Sequence, residues 1–143
     1  MIFFGRRRAA VATPEHLETG KWGETIAAKM LQHKGLKLLG QRVRMGTRDE
    51  IDLVMRDGEQ LVFVEVKTRS SEVFGRPLSA VDRKKRHTLS RGAIRYIKKL
   101  KHPRVCFRFD VVEVIGSPAS GSPPPQIRHI PNAFSLDRRY MLP

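Results

Sequence analysis

Residues 50–67 read EIDLVMRDGEQLVFVEVK, and this stretch predicts a β-hairpin. Val, Ile, Leu and Phe dominate both halves, and Asp57-Gly58 is a strong signal for a two-residue turn between them. Three carboxylates and one lysine nevertheless fall inside these apolar runs. Since both faces are otherwise largely apolar, we expect the hairpin in the middle of a sheet, where buried charges need a counter-charge.

The position of the turn sets the expected register of the hairpin. A loop at Asp57-Gly58 would place Glu50 opposite Glu65. Because side chains alternate along a strand, four charged residues should share one face: Glu50, Asp52, Glu65 and Lys67. The other face should carry only apolar residues: Ile51, Leu53, Met55, Val62, Val64 and Val66.

Clustered carboxylates repel one another and lose hydration unless something positive lies among them. Lys67 supplies one charge, and a divalent cation could supply the rest. Oxygen ligands without His or Cys favour Mg²⁺ or Mn²⁺, and Mg²⁺ leaves room for a phosphate oxygen. The pattern therefore predicts phosphodiester hydrolysis, in which Lys67 stabilises charge or orients the nucleophile. The alternative is a buried structural ion-pair network formed by the same residues.

The overall charge points to the same kind of substrate. The chain has 28 Lys and Arg against 14 Asp and Glu, a formal net charge of +14, and such an excess favours a polyanion, with nucleic acid the leading candidate. Ribosomal proteins and anionic membrane surfaces also attract basic chains, but we expect no membrane partner here. No apolar run reaches the length of a membrane span, and the lone Cys106 excludes a disulfide framework. These features predict a soluble cytoplasmic protein in which Cys106 is a buried, inert thiol on a strand.

The length of 143 residues predicts one domain. We expect a flexible basic arm at residues 1–12, a single domain at residues 13–136 and a basic tail at residues 137–143. The Pro- and Ser-rich segment at residues 116–126 should be a loop within the domain.

Local patterns predict two helices and three strands besides the hairpin. Helices are expected at residues 13–33 and 82–101, and strands at residues 36–43, 105–115 and 127–134, the last at a sheet edge because it contains Pro131. In the first helix, Glu24 lies beside the apolar stripe rather than opposite it. Gly20 and Gly23 are poor helix formers, which suggests close approach of another backbone near Glu24.

Several stretches together resemble the YraN-like family of small bacterial proteins, which is similar in fold to Holliday-junction resolvases. They are WGETIAAKML, DEIDLV, LVFVEVKTR, FGRPLSAV followed by Lys85, RFDVVEV and IRHIPNAF, covering roughly residues 17–136. The spacing of Asp52, Glu65 and Lys67 also resembles the D…(D/E)-x-K pattern of restriction-endonuclease-like nucleases.

The resemblance implies an α/β fold with a restriction-endonuclease-like core, a central mixed β-sheet flanked by helices. It implies that Glu24, Asp52 and Glu65 are metal ligands for Mg²⁺ or Mn²⁺ and that Lys67 is the catalytic lysine. Glu50 could be an outer ligand. The chain departs from the family pattern at Asp49, where glycine is expected, so that Asp49 could alter the turn or join the acidic cluster.

Basic residues around the second helix form a predicted nucleic-acid-binding group: Arg69, Arg83, Lys84, Lys85 and Arg86. The main hypothesis is a metal-dependent endonuclease acting on DNA, including branched or damaged substrates in recombination or repair. The alternative is a non-catalytic nucleic-acid-binding or ribosome-associated module on the same fold. A basic protein-assembly factor is a third possibility. The sequence leaves open DNA or RNA, duplex or junction, and monomer or two-fold dimer.

Overall fold

The structure is a computed structural model that describes residues 14–70, 82–101 and 104–138. Two helices and five strands follow in the order α1 (Pro14–His33), β1 (Lys37–Met45), β2 (Asp49–Asp57), β3 (Gln60–Arg69), α2 (Arg83–Lys98), β4 (Phe107–Ile115) and β5 (Gln126–Phe134). The predicted arm at residues 1–12 and the predicted tail beyond residue 138 lie outside the described residues.

The five strands form one mixed sheet in the order β1-β2-β3-β4-β5. All neighbouring pairs are antiparallel except β3 and β4, which are parallel and connected through α2. A parallel pair requires such a crossover connection, and a helix commonly provides it. The predicted α/β class and the mixed sheet flanked by helices are confirmed, and this architecture is compatible with a restriction-endonuclease-like core.

The two helices cover opposite faces of the sheet. Helix α1 packs through Ala27, Ala28 and Leu31 on one cluster of buried strand residues: Leu53, Met55, Val62, Val64, Val66, Val112 and Val114. Helix α2 packs through Leu89, Ala93 and Ile97 on another: Ile51, Val54, Leu61, Phe63, Phe109 and Val111. The central strands are apolar on both faces because each face is buried under a helix.

The predicted hairpin is present, but its turn lies one residue further along the chain. Asp57 pairs with Gln60, so the two loop residues are Gly58 and Glu59. Gly58 has φ 59°, a conformation that glycine adopts without steric cost at the first position of a two-residue loop. The predicted pairing of Glu50 with Glu65 is therefore wrong, because this turn moves the register by two residues.

The alternation of faces along β2 is also different from the prediction. Leu53 belongs to the cluster under α1, whereas Ile51, two residues before it, belongs to the cluster under α2. Residues two apart on a regular strand share a face, so the alternation is broken at Asp52. The expectation that Ile51 and Leu53 lie on one face is wrong, and the irregularity coincides with a predicted site residue.

Asp110 anchors the edge strand β5 to β4. Its side chain is fully buried and accepts hydrogen bonds from Arg108 Nε at 3.0 Å, from the Asn132 backbone N–H at 2.9 Å, and from His129 Nε2 at 2.8 Å in the donor tautomer. The register of β4 and β5 shifts at this point. The expected Arg108–Asp110 pair is confirmed as part of a network that holds an irregular strand pair.

Cys106 is exposed and precedes β4, so its predicted placement as a buried strand residue is wrong. Burial in this region begins with the strand itself, which starts at Phe107. Among the described residues, neither helix has the length and apolar character needed to cross a membrane.

Candidate functional site

A cavity of about 380 Å³ is lined by one segment of α1 and by the adjoining parts of β2 and β3. It brings together the four residues predicted to be catalytic: Glu24, Asp52, Glu65 and Lys67. Backbone and small side chains complete the lining: Thr19, Gly20, Val66 and Thr68. The larger cavity of the molecule, about 960 Å³, lies at the hairpin loop and contains none of these four residues.

Asp52 is held in place by the backbone of the neighbouring strand. Pairing of β2 with β3 runs from the hairpin loop to Leu53 and Val64. At the next position, the Val66 N–H donates to Asp52 Oδ2 at 2.9 Å. The carboxylate thus takes the place of a backbone acceptor where the alternation of β2 breaks, and this fixes its direction into the cavity.

Glu65 is the most deeply buried of the four residues, with 3% of its surface exposed. Its Oε1 lies 3.4 Å from Lys67 Nζ and 3.5 Å from Lys85 Nζ. Its Oε2 is buried without a hydrogen-bond partner among the described residues. Burial and then the charge of Asp52 raise the pKa of Glu65 to about 7, against the opposing effect of the two lysines.

Glu24 reaches the cavity from α1, where Gly23 permits close contact with β3. A Cβ atom on Gly23 would collide with the Thr68 side chain, so the predicted close approach is present, although a side chain rather than a backbone makes it. Arg42 Nε donates to Glu24 Oε2 at 2.8 Å. Burial raises the pKa of Glu24, and the Arg42 hydrogen bond opposes this effect while the charge of Asp52 adds to it.

Glu50, the predicted outer ligand, lies at the rim. Its side chain is 39% exposed, and Arg44 Nε of the neighbouring strand lies 3.8 Å from its Oε2. Glu50 does not line the cavity, although its charge contributes to the electrostatic environment of Glu24. The structure thus brings Asp52 and Glu65 together and leaves Glu50 with a surface arginine.

The predicted nucleic-acid-binding residues divide between two sides of α2. Lys84 and Lys85 line a cavity of about 320 Å³ that also includes Lys67. Lys85 therefore belongs to the acidic site through Glu65 and to this basic cavity at the same time. The N-terminus of α2 is capped by Asp82, whose Oδ1 accepts from the Lys85 backbone N–H at 2.8 Å.

The remaining three predicted basic residues face other surroundings. Arg83 and Arg86 line a cavity with the segment after β5, and the Arg86 guanidinium lies 5.6 Å from the centre of the Phe134 ring. Arg69 Nε lies 3.7 Å from Glu113 Oε1 on β4. The basic residues nearest the carboxylates are thus Lys67, Lys84 and Lys85.

Asp49, which occupies the expected glycine position, does not join the acidic cluster. It is buried on the α2 side, and Arg91 binds both of its oxygens, with Nε at 2.8 Å from Oδ2 and Nη2 at 2.7 Å from Oδ1. Arg95 Nη1 lies 3.7 Å away. The Arg91 hydrogen bonds lower the pKa of Asp49. No sequence signal identified this contact, because the partners are 42 residues apart.

The carboxylates fit a hard divalent cation, the cofactor that the predicted fold family implies. Glu65 Oε2 is a buried oxygen without a partner, next to the second carboxylate of Asp52. Within residues 14–70, 82–101 and 104–138, no group of three or more His, Cys, Asp or Glu is gathered closely enough to hold a metal ion. A Mg²⁺ ion that takes one or two carboxylates and several waters is compatible with a two-carboxylate site.

Comparison with known proteins places the whole arrangement in a family. Residues 23–114, which contain the four cavity residues, match the uncharacterised protein family UPF0102. The chain belongs to this family. A UPF0102 protein of Geobacter metallireducens is 41% identical over 117 residues, covering 82% of this chain and 92% of the relative. Another, of Alkalilimnicola ehrlichii, is 42% identical over 128 residues, covering 87% of this chain and 94% of the relative.

The match confirms the predicted YraN-like resemblance and extends it over most of the chain. A third UPF0102 protein, of Syntrophotalea carbinolica, is 37% identical over 127 residues and is covered to 98% of its length. These relatives have the length of the present domain. The name UPF0102 states no reaction, so the activity must be inferred from the site.

Proposed function

We propose that this UPF0102 protein is a metal-dependent nuclease that hydrolyses phosphodiester bonds in DNA. The observation that carries the proposal is the buried pair of Asp52 and Glu65, in which Glu65 Oε2 lacks a hydrogen-bond partner among the described residues. A purely structural ion pair would satisfy this oxygen with a donor, because an unpaired buried carboxylate oxygen costs free energy.

In this proposal Asp52 and Glu65 would hold Mg²⁺ or Mn²⁺, with Glu24 on the adjoining wall of the cavity. The ion would supply Lewis-acid activation of the phosphate and a lower pKa for a bound water. The chain contributes the fixed direction of Asp52, set by the Val66 N–H, and the positive charge of Lys67 beside Glu65. Lys67 can stabilise the negative charge that develops on the phosphate.

The basic residues around the cavity support a polyanionic substrate. Lys84 and Lys85 lie on the side of α2 that faces Lys67, and the chain carries a net charge of +14. These lysines can bind backbone phosphates irrespective of base sequence. Arg69, Arg83 and Arg86 would extend this contact along the backbone. Binding through phosphates favours recognition by shape over recognition by sequence.

The first test is cleavage by the purified protein of single-stranded, duplex and four-way-junction DNA and of RNA, with Mg²⁺, Mn²⁺ or EDTA. We expect DNA cleavage that requires metal and that falls at least about 100-fold in Asp52→Asn and Lys67→Met, because each removes an interaction with the reacting groups. Glu59→Gln and Lys98→Met change matched residues outside the site and should cleave like the wild type.

Circular dichroism and thermal melting of each variant would separate loss of chemistry from loss of fold. Tight nucleic-acid binding by all of these proteins, without cleavage under any metal, would contradict the nuclease proposal. That result would favour the non-catalytic binding module instead. Cleavage of RNA alone would keep the chemistry and change the substrate.

A further inference from the structure

Arg42 has an unusual backbone conformation for its residue type. With φ 47° it is one of two non-glycine residues with positive φ in the described part of the chain, the other being Asn132. Asn adopts this region more readily because of its short polar side chain, whereas an arginine has no such compensation. Strained residues of this kind persist where the surrounding structure holds them, and they cluster at functional sites.

The strain places Arg42 between two carboxylates of the site. Its neighbours on β1 pair with Leu53 and Ile51, so that Arg42 lies beside Asp52 on the adjacent strand. Its side chain turns towards α1, where Nε donates to Glu24 Oε2 at 2.8 Å. Arg42 therefore connects β1 to Glu24 at the level of the break in β2.

The guanidinium is also confined from the α1 side. A Cβ atom added to Gly20 would lie 3.5 Å from Arg42 Nη2, within ordinary van der Waals contact. The Arg42 side chain is 30% exposed, and the Glu24 side chain is 12% exposed. This pair differs from the rim pair of Arg44 and Glu50, whose atoms are 3.8 Å apart and whose side chains are more exposed.

We infer that Arg42 is a positioning residue that holds Glu24 towards the Asp52–Glu65 pair, an inference that rests on the proposed function. Its left-handed backbone directs the side chain to α1 rather than to solvent. Its hydrogen bond fixes one oxygen of Glu24 and leaves the other for the cavity. Arg42 acts through Glu24 and has no contact of its own with the reacting groups.

A double-mutant cycle tests this relation by Mn²⁺ affinity, measured by calorimetry at one fixed pH. We expect Arg42→Gln and Glu24→Gln each to weaken Mn²⁺ binding about 10-fold, the scale typical of residues that orient metal ligands. The double variant should be no weaker than Glu24→Gln, because Arg42 has nothing to position once the carboxylate is gone. Effects that multiply in the double variant would overturn the inference.

Two further variants give matched controls for charge and for chemistry. Arg44→Gln removes a neighbouring arginine of β1 and should change Mn²⁺ affinity less than about twofold, since exposed ion pairs contribute little. Arg42→Lys keeps the charge without the planar guanidinium and should recover part of the affinity. An equal loss in Arg44→Gln would attribute the effect to net charge and would contradict positioning.

A comparison of Arg42→Gly with Arg42→Ala separates positioning from folding. Glycine relieves the positive φ, so Arg42→Gly should melt about 3 °C higher than Arg42→Ala. Both variants lack the guanidinium, and both should lose the same Mn²⁺ affinity. An affinity that followed the melting temperature would show a merely structural role.

The readouts distinguish failure of this inference from failure of the proposed function. If the wild type binds Mn²⁺ but cleaves no substrate, the nuclease proposal fails and the affinity cycle still decides the role of Arg42. If the wild type cleaves and the cycle is additive, the inference alone fails. A wild type that binds no Mn²⁺ would overturn both.

Discussion

At the scale of single residues, Glu65 shows how surroundings determine the chemistry of a carboxylate. It lies on a strand whose neighbours Val64 and Val66 are buried core residues. Asp52 adds a second negative charge, and two lysines compensate for it on one oxygen. The result is an acid with a pKa raised to about 7 by burial and by Asp52. Protonation of this group and binding of a cation are alternative ways to relieve the same repulsion.

This shift predicts that stability depends on pH when metal is absent. The pKa of Glu65 is about 7 in the folded protein against a model value of 4.5. Between these values the folded protein binds more protons than the unfolded chain, so the free energy of unfolding falls as pH rises from 4.5 to about 7. We expect this group to contribute a decrease of at most about 3 kcal/mol. Urea denaturation in chelator across this range would measure it.

Glu65→Gln provides the control, because glutamine does not titrate. The variant should lack this component of the pH dependence and should be more stable than the wild type above about pH 7 in chelator. Mg²⁺ should stabilise the wild type at that pH and have less effect on the variant. Identical pH profiles for the two proteins would contradict the prediction.

At the scale of elements, Asp49 attaches α2 to the start of β2. Its two oxygens are bound by Arg91, and Gly92 allows the helix to approach the strand, since a Cβ there would lie 3.4 Å from Ile51 Cγ1. The same helix carries Lys85 to Glu65. The position of the lysine in the site therefore depends on a contact at the opposite side of the helix.

Asp49→Ala should lower the free energy of unfolding by about 2 kcal/mol, because it leaves the partly buried Arg91 without its bidentate partner. Chemical denaturation measures this directly. The control is Asp57→Ala, which breaks the more exposed ion pair with Arg108 and should cost less than about 1 kcal/mol. Equal losses in the two variants would mean that the buried contact has no special weight.

At the scale of the whole molecule, the excess of 28 basic over 14 acidic residues should dominate the strength of nucleic-acid binding. Release of counterions makes such binding depend steeply on salt. We expect DNA affinity to fall about 100-fold or more between about 50 and about 200 mM salt. Fluorescence anisotropy with labelled duplex and junction DNA would measure the slope.

The position of the charge should matter as well as its amount. Lys84→Glu reverses a charge beside the cavity that contains Lys67, whereas Lys98→Glu reverses an exposed charge at the other end of α2. Both change the net charge equally. We expect the larger loss of DNA affinity and the smaller salt slope in Lys84→Glu. Equal losses would indicate a diffuse electrostatic effect rather than a binding surface at the cavity.

Local sequence signals predicted most of the elements correctly. The helices, the hairpin, the strand that became β4 and the edge strand with Pro131 follow from hydrophobic periodicity and from capping and turn residues. The turn was misplaced by one residue, since both Asp57-Gly58 and Gly58-Glu59 supply the glycine that a tight loop needs. The face assignment failed at Ile51, because periodicity assumes a regular strand and carries no signal for an irregularity.

The sequence by itself determined the fold class, the family resemblance and the identity of the four charged residues that converge on one cavity. It could do so because apolar periodicity and unusual charges in buried strands are local patterns. Tertiary structure alone decided that Asp49 binds Arg91 of α2, that Glu50 pairs with Arg44 and that Arg42 holds Glu24. The choice among several nearby arginines depends on strand register, helix packing and a single left-handed residue, which fix distances that spacing along the chain does not contain.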